Sequence, residues 1–258
     1  MMEKKYKLTE ETINVDGRTL YRIEALKDFN DVKKGDKGGF IENESNLSQG
    51  GDCWVYGNAK VSDNAMVCGN AKVYDNARVY GNALVCGNAL VFGNALVIDN
   101  ANVYGNAQVR GNAVVYDNAE ISGDAKIFGN AQIRCDAVVC EDAKIYGHVI
   151  VCGNADVYGN ARIYGNAEVS GNAQVFGNTE IRGDAVITSK SDYILFKNWW
   201  SSGRFFTWTR SNNMWKVGCF YGTGEELIDK AYKDSEMSGE EYERVVKYVE
   251  AILKANKL

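Results

Sequence analysis

Few side chains in this 258-residue chain have the chemistry to catalyse or to hold a metal. His148 is the single histidine, and as a general base it would need a pocket and an orienting partner. It stands in IYGHVI, where neighbouring segments place Asn, so a tolerated ladder substitution is the plainer account. Cys68 and Cys86 are eighteen residues apart, with Cys140 further on, and they lack the third and fourth ligands of a zinc site. They are read as surface thiols, although a disulfide between them is geometrically conceivable. Seven cysteines, an odd count without zinc-like CxxC pairs, fit reduced thiols in a cytosol. No phosphate-cradling glycine motif or HExxH occurs. No catalytic residue, metal ligand or cofactor site is therefore expected. Arg204, Trp208 and Arg210 alternate on one side of a predicted strand, two guanidiniums around an indole that could clamp a phosphorylated ring.

A six-residue repeat carries most of the chain. VYGNAKVSDNAMVCGNAKVYDNARV covers residues 55–79, and Val or Ile recurs at every sixth position from Val55 through Ile187. Two positions before each later aliphatic residue sits a small one, such as Ala59 or Ala65, broken only by Val149 and Thr179. Large and small inward residues thus alternate with strand period two. Gly-Asn or Asp-Asn then supplies corner residues that tolerate left-handed backbone angles. Short strand, corner, short strand predicts a parallel β-helix. The pattern resembles the hexapeptide-repeat proteins over roughly residues 40 to 188. With Tyr56, Cys68, Phe92 or Arg110 directly after the aliphatic residue, it is similar to a GNA-rich subgroup of phage and prophage proteins, often labelled transferases by fold alone. The resemblance implies a left-handed β-helix of triangular section with three hexads per coil. About seven coils stacked at ~4.8 Å would make a prism ~35 Å long. The best-known activity of that fold, acyl transfer from coenzyme A, depends on a histidine base and an extruded loop. Here His148 lies in an uninterrupted coil.

Sorted by a period of eighteen, the outward positions give unlike faces. One carries Lys72 and Tyr74, Leu90 and Phe92, Gln108 and Arg110, Lys126 and Phe128, Lys144 and Tyr146, Arg162 and Tyr164, Glu180 and Arg182. In a chain of formal net charge −5, such cations beside rings suit a platform for single-stranded nucleic acid, a nucleotide or an acidic protein. The plainer alternative is a solvated ladder in which Lys and Arg pack on rings. A second face is apolar at Leu96, Ile98, Val114, Tyr116, Ile150 and Cys152, interrupted by Gln132 and Arg134. It predicts a subunit interface, with a homotrimer the natural assembly. Asn58, Asn76, Asn94, Asn112 and Asn130 share a corner and would form an amide ladder.

Three segments follow from these patterns. Residues 1–52 lie outside the register and form an expected N-terminal β cap, with a hairpin in INVDGRTLYRI turning at Asp16-Gly17. The β-helix spans 53–188. From 189 to 258 the composition changes, and four of the five tryptophans fall within Trp199 to Trp215. YILFKNWW, GRFFTWTR and MWKVGCF predict strands, followed by a helix from about Thr223 and another opened by a capping box, Ser238 to Glu241. This small α+β domain contains GCFYGTGEEL, similar to a C-terminal module recurring in phage proteins. No apolar leader and no run of eighteen apolar residues occurs, so neither signal peptide nor membrane contact is expected and a cytoplasmic location is. The function expected is that of a non-catalytic binding protein presenting the basic aromatic face and the C-terminal domain to an anionic partner. The phage resemblance implies an accessory, counter-defence role. A coenzyme A-dependent acyltransferase and a structural scaffold are the alternatives.

Overall fold

The repeated Val/Ile and Ala side chains fill the axis of the molecule. The computed structural model describes residues 4–200 and 203–255. Every aliphatic position from Val55 to Ile187 is fully buried. Each hexad forms a two-residue strand, from Trp54–Val55 to Val186–Ile187. Each strand pairs in parallel with its counterpart eighteen residues on, as Lys126 with Lys144 and Ile127 with Ile145. Among the described residues these strands make three sheets of eleven, eight and seven strands, the eleven including three N-terminal strands outside the repeat, and a four-stranded antiparallel sheet follows. The fold is a parallel β-solenoid with a small C-terminal α+β unit.

The eight-stranded sheet shows one coil more than the seven expected. β1 (Tyr6–Val15) and β2 (Arg18–Ala25) form the hairpin, turning at Asp16 and Gly17, and β3 (Lys37–Ile41) pairs in parallel with Lys60–Val61. Leu47 bridges Val67 in the same sense. Both offsets are twenty residues rather than eighteen, because the chain around Gly50-Gly51-Asp52 holds two extra residues. That insertion hides the first coil from a count of six.

The alternation of Gly and Asp at corners has a physical cause. Gly87 holds φ 69°, and a Cβ there would stand 2.9 Å from the backbone of Gly105 in the next coil. Where Asp replaces Gly, its side chain reaches forward: Asp75, at φ 60°, accepts from the Gly93 N–H at 3.0 Å. The amide ladders form along the corners, as in Asn94 to Asn112 at 3.1 Å and Asn112 to Asn130 at 3.0 Å.

The C-terminal sheet closes the solenoid's open end. Its strands are Tyr193–Lys197, Phe205–Thr209, Met214–Val217 and Phe220–Gly222, and α1 (Gly224–Asp234) and α2 (Glu236–Ala255) pack on it. The last coil has no successor to accept its N–H groups, so other groups must. Thr207 Oγ1 accepts from Glu180 N at 3.1 Å, and Ser211 Oγ accepts from Val186 N at 2.7 Å. Tyr221 OH donates to Arg182 O at 3.1 Å. α2 starts two residues before the predicted capping box, since Ser235 Oγ accepts from the Ser238 N–H at 3.1 Å.

Candidate functional site

On the eight-stranded face the aromatic residues form a column. Tyr74 stacks on Phe92 at 4.7 Å, Phe128 on Tyr146 at 4.8 Å, and Tyr146 on Tyr164 at 5.0 Å. The Arg110 guanidinium lies between Phe92 and Phe128, 6.0 and 4.6 Å from their centroids. Parallel in-register coils impose this, because like positions repeat at the strand spacing. Both faces of Tyr146 are consequently covered, so this column presents edges and hydroxyls rather than open faces for a base. Lys72 is neutralised by the N-terminal cap, at 2.7 Å from Asp31, whose carboxyl it holds below the usual range. Lys126 and Lys144 have no carboxylate within ion-pair distance among the described residues.

The column leads to a cavity of about 280 Å³ where the solenoid meets the C-terminal sheet. Arg162 and Glu180 line it from the last coils, and Arg204, Phe205, Thr207 and Lys216 from the sheet. Glu180 is the hub. Lys216 Nζ lies 3.0 Å from its Oε2, Arg162 lies 3.9 Å from Oε1, and Tyr164 OH donates to Oε2 at 3.3 Å. Burial, reinforced by the Glu180 charge, pushes the Tyr164 phenol up, so it remains a donor. Lys216 is largely enclosed, with a side chain 8% exposed, and donates to Gly218 O as well. Two cations, Lys216 and Arg162, flank the Glu180 carboxylate, and Arg204 lines the same concave site, a cation-rich lining of the kind that favours an anion.

Residues separated in the sequence reading thus share one site: Arg162 and Tyr164 from the basic face, Arg204 from the C-terminal cluster. The other two members of that cluster lie elsewhere. Trp208 is 2% exposed within the second core, its indole N–H donating to Asn213 at 2.9 Å. Alternation on the strand places it beside buried Phe206, which is why it is a core residue and not a clamp. Arg210, just past the strand end, bonds through its N–H to Asp192 O at 2.8 Å. Lys216 and Thr207 escaped the sequence reading. The signal for Lys216 is a cation flanked by Trp215 and Val217 in an otherwise apolar strand.

Leu96, Ile98, Val114, Tyr116 and Ile150 lie half-buried along the eleven-stranded face. His148 is exposed and ends an amide ladder: the Asn130 side-chain amide nitrogen lies 3.0 Å from its Nε2. It does not line the cavity. Cys68 and Cys86 pair as a disulfide across adjacent coils, Cα atoms 4.7 Å apart, which corrects their reading as free thiols. No group of metal-ligating side chains occurs among the described residues, and no described helix is long and apolar enough to cross a membrane.

Comparison with known proteins agrees with the solenoid. Residues 71–87 and 161–177 match the repeat described as YdcK β-solenoid repeat. The chain is also 40% identical over 76 residues to a protein of Escherichia coli (strain K12) named "Uncharacterized acetyltransferase YdcK". That match covers 24% of this chain and 23% of the relative, so the chain spans less than a quarter of that protein in the match.

Proposed function

We propose that the protein binds a small phosphorylated anion, a nucleotide by size, in the cavity at the solenoid's end. The observation that carries this is the gathering of Arg162, Arg204 and Lys216 in the lining of one cavity with Glu180, which Arg162 and Lys216 approach directly. Lys126 and Lys144 extend the positive field along the face and would steer the ligand to it. In this reading the protein is a non-catalytic, phage-type accessory factor, and the apolar face at Leu96 and Val114 joins copies into a homotrimer. Calorimetric titration with nucleotides and with inorganic phosphate tests the site. Binding should weaken as salt rises and should be lost in Arg162→Glu with Arg204→Glu. Absence of any salt-sensitive binding by the wild type would remove the proposal. Tighter binding of single-stranded nucleic acid would shift the ligand to a polymer lying along Lys126 and Lys144.

A second reading, acetyl transfer from coenzyme A, is favoured by the name of the Escherichia coli relative. His148, exposed at its ladder end, would be the base. Against it stand the exposure of His148 at a corner and its place outside the cavity lining, which leave it without the pocket a base needs. Acetyl-coenzyme A turnover that disappears in His148→Ala would establish this reading over the first.

A further inference from the structure

The C-terminal domain holds a second cavity, of about 310 Å³, that shares no lining residue with the first. Trp208 and Trp215, cross-strand partners each 2% exposed, form its floor. Val246, Val249 and Leu253 of α2 form an apolar wall. Gly224 and Glu225, in the first turn of α1, and Glu250 of α2 stand at its rim.

Its hydrogen-bonding groups are incomplete. Trp208 donates its indole N–H to Asn213, but the Trp215 N–H has no acceptor among the described residues. That nitrogen lies beside the first turn of α1: a Cβ built on Gly224 would stand 3.3 Å from it. The first amides of a helix also lack intrahelical acceptors, and Thr223 Oγ1 caps only the Glu226 N–H. Donors therefore meet at the start of α1, from the Trp215 indole and from the backbone, where a ligand's acceptor would find them.

Charge selects the rest of the ligand. Glu225 and Glu250 are the only ionisable residues lining the cavity, both are exposed, and neither forms an ion pair among the described residues. A free anion would be repelled, and a wholly apolar molecule would leave the Trp215 N–H unpaired. A cation carrying a carbonyl on an aliphatic stem satisfies all three elements. Glycine at 224 keeps the entrance open, since a Cβ there would approach Val246 Cγ1 to 2.8 Å.

We propose that this cavity binds a lysine-type group, its ammonium paired with Glu225 and Glu250, its stem on the apolar wall and its carbonyl on the Trp215 N–H. The inference does not depend on the anion site, because the two cavities use different residues.

The test is a titration of the full chain with Nα-acetyl-lysine methylamide, followed through tryptophan fluorescence and the Trp215 indole N–H resonance. Saturable binding is expected. The capped norleucine analogue, neutral and shorter by the terminal nitrogen, and n-butylammonium, charged but without a carbonyl, should each bind about tenfold more weakly, the scale of a lost hydrogen bond. Glu225→Gln with Glu250→Gln, at exposed positions that do not threaten folding, should weaken the capped lysine by at least tenfold. Gly224→Ala should close the entrance. A lysine-bearing peptide binding more tightly than the capped residue would identify a protein partner as the source, and equal binding a free amine; either supports the site. No shift of the Trp215 resonance, equal binding of norleucine, or indifference to the double glutamine variant overturns it.

Discussion

The middle of the eight-stranded face and its end are built from the same hexad, yet they behave differently. In the middle, rings meet rings or the Arg110 guanidinium one coil away, so Phe128 covers Tyr146 and Tyr146 covers Tyr164. Binding capacity is absorbed by self-stacking, and little remains but edges and two lysines. At the end, Arg162, Tyr164 and Glu180 meet a different sheet, which supplies Lys216, Thr207 and Arg204. Unlike residues then converge on one carboxylate and leave a concave, positively charged space. In a repeat protein, a site of mixed chemistry arises where the repetition stops.

The comparison can be broken most severely through the core that both regions share. Val103 is fully buried, and Val103→Asp should cost about 3–5 kcal/mol by placing an uncompensated charge in the closed axis. Outward Asn102→Asp should change stability by only a few tenths of a kcal/mol, mainly through its cross-strand neighbour Glu120. Denaturant unfolding of both variants measures this, and equal tolerance would mean the inward and outward assignments are wrong.

Next in size is the difference between the cavity and the column. Arg162→Glu with Arg204→Glu should abolish anion binding. Lys126→Glu with Lys144→Glu should weaken it several-fold and flatten its salt dependence, because those cations act at a distance. Titrations at several ionic strengths separate the two variants, and matching losses would erase the distinction between middle and end. A third contrast sets the charged face against the apolar one. Leu96→Glu with Val114→Glu should dissociate the proposed trimer in sedimentation while leaving anion binding unchanged. A wild type that sediments as a monomer would dispose of the trimer.

The smallest effect concerns the opposite end of the face, where Lys72 lies 2.7 Å from Asp31. The hydrogen bond from Lys72 lowers the Asp31 pKa in the folded chain. A carboxyl with a depressed folded pKa adds stability above its unfolded pKa, and that increment is lost as pH falls through the folded value. Wild type should therefore exceed Asp31→Asn slightly in thermal stability near pH 7, with the gap closing in acid. Solvent exposure keeps the gap small. A gap that persists below the depressed folded pKa of Asp31 would assign the effect to something other than ionisation.

By itself the sequence determined the solenoid. A Val or Ile at every sixth position, an Ala two before it and a Gly or Asp at the corner admit one way to bury the apolar row, and each constraint is local or repeats at a fixed interval. It also sorted the three faces, once the resemblance to hexapeptide-repeat proteins implied three hexads per coil. Tertiary structure decided what those faces can do. That ring faces are used up by stacking depends on side-chain packing between coils. That Arg162 and Arg204 share a cavity depends on how the C-terminal sheet docks. That Trp208 is core depends on the helices covering its strand. Lys216 meets Glu180, 36 positions apart in the chain, at 3.0 Å, because the last coil needs hydrogen-bond partners that the repeat no longer supplies. No periodicity encodes that contact; it is set by the geometry of the solenoid's open edge.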